Sequence, residues 1–537
     1  MSRRPRACEE CQRLKIKCDV TTLSASACER CYRYSLHCVP AAPRLQRDRI
    51  AALESEVREL RLKLRQSSSG ASTAATTPER TPGSLSGPQS REDYSRAVLS
   101  FLDARIPPRR QQELLLFYAQ HAGTVWPVVR LPALDQLRAT SPVLLLSVLV
   151  YTVTQQTQGT DVDRYHELLQ ETMYIFGDRI LGKGEISIAL VQTLLIASFW
   201  FKTTGWGEQG SCYQLIQLAS DMAIDLGIGG PSLMPSPIAY MARLDDVTSL
   251  EARRTWLACF LALAKSSIST RRPNPVPWDG YLEESLVYLG SHGDRSDLML
   301  CQIVRITQII QDISNELYLC QMNKFMDGNE YTTHTAMKML ENKVEAWAAQ
   351  IPPELALQRQ SLEVWAHFAL VYVHEITLHT ATNKTRFAAP FIPGRIPTKD
   401  FPMPANPIPP LRSALKKLVQ HCHAVVDTVA EMEPTMILSF SFFSFAPTVV
   451  YSLYVLVTAL VAATAPENTY GQILTREEFG VERCNCQLRE VRAKLKVLDP
   501  TLSCFTTRLF DATGWLETWY DDYVAILRQY EMNTDEN

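Results

Sequence analysis

The sequence predicts a mainly α-helical protein in four parts: a small metal-stapled head, a short coiled coil, a flexible linker and a large all-α body. Three observations carry this. Six of the 14 cysteines lie in the first 38 residues, at a duplicated spacing. From Glu92 onward apolar residues recur at helical spacing. Between these regions, residues 67–91 (SSSGASTAATTPERTPGSLSGPQSR) offer almost nothing to bury. Apolar residues make up 46% of the 537 and charged residues 21%, which excludes a mainly disordered or fibrous chain.

The head and its basic linker are residues 1–49. Cys8-x2-Cys11-x6-Cys18 is followed, nine residues on, by Cys28-x2-Cys31-x6-Cys38. A spacing repeated in this way predicts a pseudo-two-fold ligand cage. Thiolates suit zinc, which prefers four tetrahedral ligands. Six cysteines cannot fill two separate four-ligand sites, so two thiolates must bridge. A unit of about 30 residues has too little core to fold unaided, and metal must supply the stability. Two Zn2+ per chain are therefore expected on Cys8, Cys11, Cys18, Cys28, Cys31 and Cys38. The start, MSRRPRACEE, has no apolar run, so a secretory signal is not expected and disulfides are disfavoured.

Charge is unevenly placed. Residues 1–66 carry 15 Lys and Arg against 8 Asp and Glu, while the rest carry 39 against 49. A basic head on an acidic body points to a polyanionic partner for the head. Between Cys11 and Cys18 lies Gln-Arg-Leu-Lys-Ile-Lys. Arg13, Lys15 and Lys17 can reach phosphates and the O6/N7 edge of guanine. The alternative is a solvated basic face.

On these residues the head resembles the binuclear zinc-cluster (Zn2Cys6) DNA-binding domain of fungal transcription factors. The resemblance implies that Cys8 and Cys28 bridge the metals and that the first half's helix enters the major groove of double-stranded DNA. It places Lys15 on bases of a CGG-type triplet, and Arg13 and Lys17 on phosphates. Three departures stand out: Gln12 where Arg is common, Leu14 where a second basic residue is common, and no proline before Cys28.

Residues 50–66 follow as a coiled-coil segment. Ile50, Leu53, Val57, Leu60 and Leu64 are spaced 3, 4, 3, 4. β-Branched residues at a with Leu at d favour two parallel strands. Arg49 would face Glu54 of a partner, and Glu56 would face Arg61, so a homodimer is expected. The alternative is one amphipathic helix packed on the body. By the resemblance, Val39 to Arg49 would govern the spacing of two DNA half-sites. The linker, residues 67–91, carries Thr77-Pro and Thr81-Pro.

The body, residues 92–537, shows stripes at helical spacing: Ile216, Ala219, Ala223 and Leu226, then Trp256, Phe260 and Leu263. Residues 386–410 hold eight prolines and read as a loop between helical blocks. The body resembles the regulatory middle region of the same family. The carriers are Gln217-Leu-Ala219 to Asp225-Leu-Gly227, the Glu251–Phe260 helix and the Arg271-Arg-Pro273 turn. The residues alone say packed helices with a buried Arg/Glu face.

Several motifs are set aside. Gly205-x-Gly207-x-x-Gly210 lacks the strand order of a dinucleotide site, because one helix fills the interval to Asp225. His374-Glu375-x3-His379 spaces its histidines by five, off a common helix face. His421-Cys422-His423 and Cys484-x-Cys486 would need folding to bring them together. The 33 uncharged residues between Glu433 and Glu467 are long enough to span a bilayer. Pro447, frequent Ser and Thr, and acidic flanks favour two buried helices, and no membrane partner is expected. At the end, aromatics and acids interleave from Phe510 to Tyr523. Residues 505–537 read either as a docked last helix or as an acidic-aromatic activation segment for coactivators.

With the resemblance, the expected function is nuclear regulation of RNA polymerase II transcription by a homodimer on paired CGG-like half-sites. The resemblance further implies an activator of a fungal metabolic or secondary-metabolite gene set. The rival is a zinc-stabilised protein-interaction module without DNA specificity of its own. No catalytic constellation stands at proper spacing, so an enzyme is not expected.

Overall fold

The computed structural model describes residues 8, 11, 18, 28–34, 38, 91–156, 162–200, 212–230, 246–404, 406–441, 446–464, 469–500, 502 and 504–535. The chain divides into two compact units, Met1–Gly87 and Pro88–Asn537. The first unit contains one described helix, α1 (Glu29–Arg33), which begins directly after Cys28. No β-strand occurs among the described residues of either unit.

The described residues of the second unit are mainly helical, as expected. Its first block is α2 (Arg91–Asp103), α3 (Pro108–Gln120), α4 (Ala122–Val125), α5 (Leu134–Thr140), α6 (Pro142–Gln156), α7 (Val162–Ile175) and α8 (Ile188–Phe199). The middle block is α9 (Cys212–Asp225), α10 (Leu250–Thr270), α11 (Gly280–His292), α12 (Arg295–Glu316), α13 (Tyr331–Ala349) and α14 (Arg359–His374). The last is α15 (Pro409–Glu431), α16 (Pro434–Ser439), α17 (Ala446–Thr464), α18 (Val481–Leu498), α19 (Phe505–Ala512) and α20 (Trp515–Asp535).

Local chemistry sets many of these boundaries. Proline opens α3, α6, α15 and α16, where a missing N–H costs nothing. The Ser249 hydroxyl accepts the Ala252 N–H to start α10. Arg271 ends α10 in the left-handed region, at φ 54°. Asp294 and Asp297 form a reciprocal capping box at the head of α12. A side chain at Gly293 would put its Cβ 2.4 Å from that of Asp297, so the tight entry to α12 requires glycine.

Helix α10 lies at the centre. It packs on α9, α11 and α12, and is buried on nearly every side. Both apolar stripes face inward: Ile216, Ala219, Ala223 and Leu226 on and just after α9, and Trp256, Phe260 and Leu263 on α10, are all buried. Around α14 the packing continues through α12, α13 and α15, and α15 in turn meets α17 and α18.

The uncharged stretch after Glu433 forms two helices, α16 and α17, with α17 sunk in the core. None of the described helices is long and apolar enough to cross a membrane. The proline-rich segment is irregular up to α15, broken by a short turn at Pro393–Arg395. It is anchored as well as looped: Phe387, Ile396 and Phe401 are buried.

The buried Arg/Glu face takes a different form from the sequence reading. Arg253 and Arg254 are buried, but Glu251 on the same helix is exposed. The acids come from later helices. Arg254 makes a two-pronged pair with Asp297 of α12 at 2.5 and 2.7 Å, and Arg253 meets Glu284 of α11 at 2.7 Å. A helix burying two guanidiniums needs acceptors from its neighbours here, since its own i±4 positions (Ser249, Leu257, Leu250 and Ala258) carry no acid.

Candidate metal centre

The six cysteines of the first unit gather into two overlapping sets. Cys8, Cys11, Cys18 and Cys28 form one, and Cys8, Cys28, Cys31 and Cys38 the other, each with its sulfurs within 4.8 Å of one another. Cys8 and Cys28 belong to both. Counting ligands requires two shared thiolates; the geometry singles out the same pair that the resemblance implied.

The two halves repeat each other in detail. The Cys8 N–H donates to Cys18 Sγ at 3.4 Å, and ten residues away in each case, the Cys28 N–H donates to Cys38 Sγ at 3.3 Å. Cys8 Sγ lies 3.6 Å from Cys31 Sγ, and Cys28 Sγ 3.8 Å from Cys11 Sγ. The two shared sulfurs are 3.8 Å apart. Four sulfurs at a Zn–S distance of about 2.3 Å stand about 3.8 Å from one another. The donor set therefore fits zinc in number, chemistry and spacing, and the cluster takes two zinc ions per chain.

Backbone geometry prepares the shared pair. In C-x2-C the N–H of the second cysteine points back at the sulfur of the first. The Cys31 N–H holds the Cys28 thiol down at about 6, against the opposing pull of burial. Burial pushes the Cys8 thiol up, but the Cys11 N–H and neighbouring thiols outweigh it and leave it below its usual value. At Cys18 burial and the neighbouring thiols outweigh the Cys8 N–H that it accepts, and the thiol is pushed up to about 12. Metal binding needs thiolates, so the positions that ionise most readily are those that serve two metals. On α1, Arg33 pairs with Glu29 at 3.3 Å, and Tyr32 and Tyr34 are exposed.

Arg13, Lys15 and Lys17 lie outside the described residues, as do Ile50, Leu53, Val57, Leu60 and Leu64, and the glycines at 205, 207 and 210.

In the body the remaining motifs resolve into structure. Among the described residues the only groups able to hold a metal are the two cysteine sets. Helix α14 ends at His374, and His379 lies beyond a short turn. Glu375 is fully buried and receives Arg271, Tyr451 and His379, with His379 Nε2 at 2.7 Å from Glu375 Oε1. Burial would raise this carboxyl, but Arg271 and then His379 and Tyr451 hold it below its usual value. His423 Nε2 donates to the Phe479 carbonyl at 2.7 Å, while Cys484 is buried and Cys486 exposed.

One cluster was missed by the sequence reading. His367 and His374 are two turns apart on α14, and both stack on His421 of α15, with ring centroids 5.5 and 5.9 Å away. His374 Nε2 lies 3.1 Å from Glu341 Oε1, and Lys417 and Lys338 reach Oε2 of the same carboxylate at 2.8 and 3.0 Å. The i, i+7 spacing of His367 and His374 was the available signal.

The C-terminal aromatics face the body. Leu516 and Phe510 are buried, and Trp515, Trp519, Tyr520 and Tyr523 pack against the core. Two of the acids pair with α18, Glu517 with Arg489 and Arg492 and Asp511 with Lys496 at 2.6 Å, while Asp521 and Asp522 are exposed.

Comparison with known families gives two matches. Residues 6–48 match the fungal Zn(2)-Cys(6) binuclear cluster domain, and residues 118–349 the fungal specific transcription factor domain. Transcription factor pbcR of Emericella nidulans is 25% identical over 363 residues, 58% of this chain and 48% of that protein. Transcription factor opdL of Penicillium oxalicum is 22% identical over 373 residues, 65% of this chain and 63% of that protein. The chain thus covers about half to two thirds of these relatives. No solved structure matches it.

Proposed function

We propose that this chain, a member of the fungal Zn2Cys6 transcription-factor family and so a transcription regulator, acts in the nucleus as a homodimer on paired CGG-like half-sites. The observation that supports this best is the pair of overlapping four-sulfur sets. A cage of that kind is stable only when loaded with metal, and loaded it would present the basic run between Cys11 and Cys18 to a polyanion. Lys15 would read a guanine edge, and Arg13 and Lys17 would meet phosphates. Residues 50–66 would pair two such heads and so present two half-sites. Regulation would belong to the helical body. The two relatives named as transcription factors support a positive or negative regulator equally; activation of a metabolic or secondary-metabolite gene set is the reading we adopt.

The test is selection from random duplex DNA with the zinc-loaded full chain. Two CGG-like triplets at one spacing should emerge, lost on Lys15→Ala and on chelation. No enrichment with zinc bound would favour the protein-interaction reading instead.

A further inference from the structure

Lys265, near the end of α10, is 4% exposed, and its Nζ has no hydrogen-bond partner. The ammonium sits 3.0 Å from the centre of the Trp365 ring on α14. Six residues on, Arg271 gives Nη2 to Glu375 and Nε to the Phe387 carbonyl at 3.2 Å, yet its buried Nη1 is also unpartnered. Both side chains line one cavity of about 30 Å³. Its other walls are aromatic, chiefly Trp365, Phe368, Phe391 and Tyr451, and no acidic residue lines it. Buried donors without acceptors are costly and uncommon in native cores. Glu375 balances Arg271, which leaves the charge on Lys265 unmatched. Burial accordingly drives the Lys265 amine well below the usual lysine range.

We propose that this cavity is an effector site for a small aromatic carboxylic acid, whose carboxylate meets Lys265 Nζ and Arg271 Nη1. The proposal rests on the regulatory reading of the body. It supplies that reading with a place and a ligand class. A volume of this order suits a carboxylate head group and not a whole ring. The body of the acid would therefore leave the cavity on the side of Phe391 and Ser269, which with Arg271 are its partly exposed lining residues. Pockets of this kind, apolar with a few convergent polar groups, are those that fix small ligands. Phe391 belongs to the proline-rich segment between α14 and α15 and Tyr451 to α17, so an occupant would touch four separate stretches of the chain.

The probe is benzoate, with benzyl alcohol as its neutral counterpart, titrated into the zinc-loaded full chain by calorimetry and by thermal melting. Benzoate should bind at least ten-fold tighter than benzyl alcohol. Lys265→Met keeps the length of the side chain and removes an unpartnered amine, so it should fold and melt no lower than wild type. It should weaken benzoate at least ten-fold and leave benzyl alcohol unchanged. Equal binding of the two probes, benzoate binding untouched by Lys265→Met, or a variant that melts several degrees lower would each overturn the site. So would an absence of benzoate binding, which would leave the donors to a single buried water. DNA binding by the same samples is scored separately: its loss would count against the regulator reading, and a failed benzoate titration against the cavity alone.

Discussion

At the scale of single residues, the six cysteines are unequal. Cys8 and Cys28 stand in both four-sulfur sets, and each of the others in one. Replacing a shared ligand breaks both sites, whereas replacing an unshared one spares the other set. Cys28→Ser should therefore bring bound zinc close to none per chain, and Cys18→Ser should retain about one. Native mass spectrometry counts the ions; equal losses in the two variants would refute the sharing. The cysteine set was legible because covalent spacing alone dictates it. The partner of Arg254 was not, since Asp297 lies 43 residues away on another helix. That pair is nearly out of solvent, with side chains 6% and 2% exposed. Arg254→Met would strand a buried carboxylate and should cost about 3–5 kcal/mol in urea unfolding. Arg254→Met with Asp297→Asn should recover part of the loss, because the stranded charge is gone.

Elements carry information that neither residue type nor periodicity announces. The apolar stripes on α9 and α10 were readable because burial repeats at 3.6 residues. Which helices meet which was not, and the histidine cluster exists only because α14 lies against α15. Burial pushes His421 down to about 3, helped by the neighbouring His374 and His367. Around it stand Glu341, which burial would raise but which His374, Lys417 and Lys338 hold low, and Glu363 beside His367. The sign follows from which state takes the proton. The folded pKa lies below that of the unfolded chain, near 6.5, so unfolded chains protonate first as pH falls. Stability is full above about 6.5 and is lost progressively toward 3. From pH 6.5 to 5 the loss from this one residue should be about 1–2 kcal/mol. Urea midpoints at pH 7, 6 and 5 measure it. His421→Gln should flatten the trend, and an unchanged slope would show that the imidazole is not what titrates.

Across the whole molecule, the two units are held together by different physics. The second has an extended apolar core running from α2 to α20. In the first, the buried apolar cluster among the described residues consists of Cys8, Cys11, Cys28 and Cys31 themselves, with Cys18 and Cys38 packed on it. Remove the metal and that cluster becomes a set of crowded thiols whose packing stabilises little. In the body no metal-competent group occurs among the described residues. Chelation with 1,10-phenanthroline should therefore release two zinc ions and abolish DNA binding. The far-UV circular dichroism should keep almost all of its helical signal, and the calorimetric transition of the body should stay in place. Restoring zinc should restore DNA binding without moving that transition. A chelator that melted the body in step with the head would mean that the units fold as one, and the division at Gly87 would have to be abandoned.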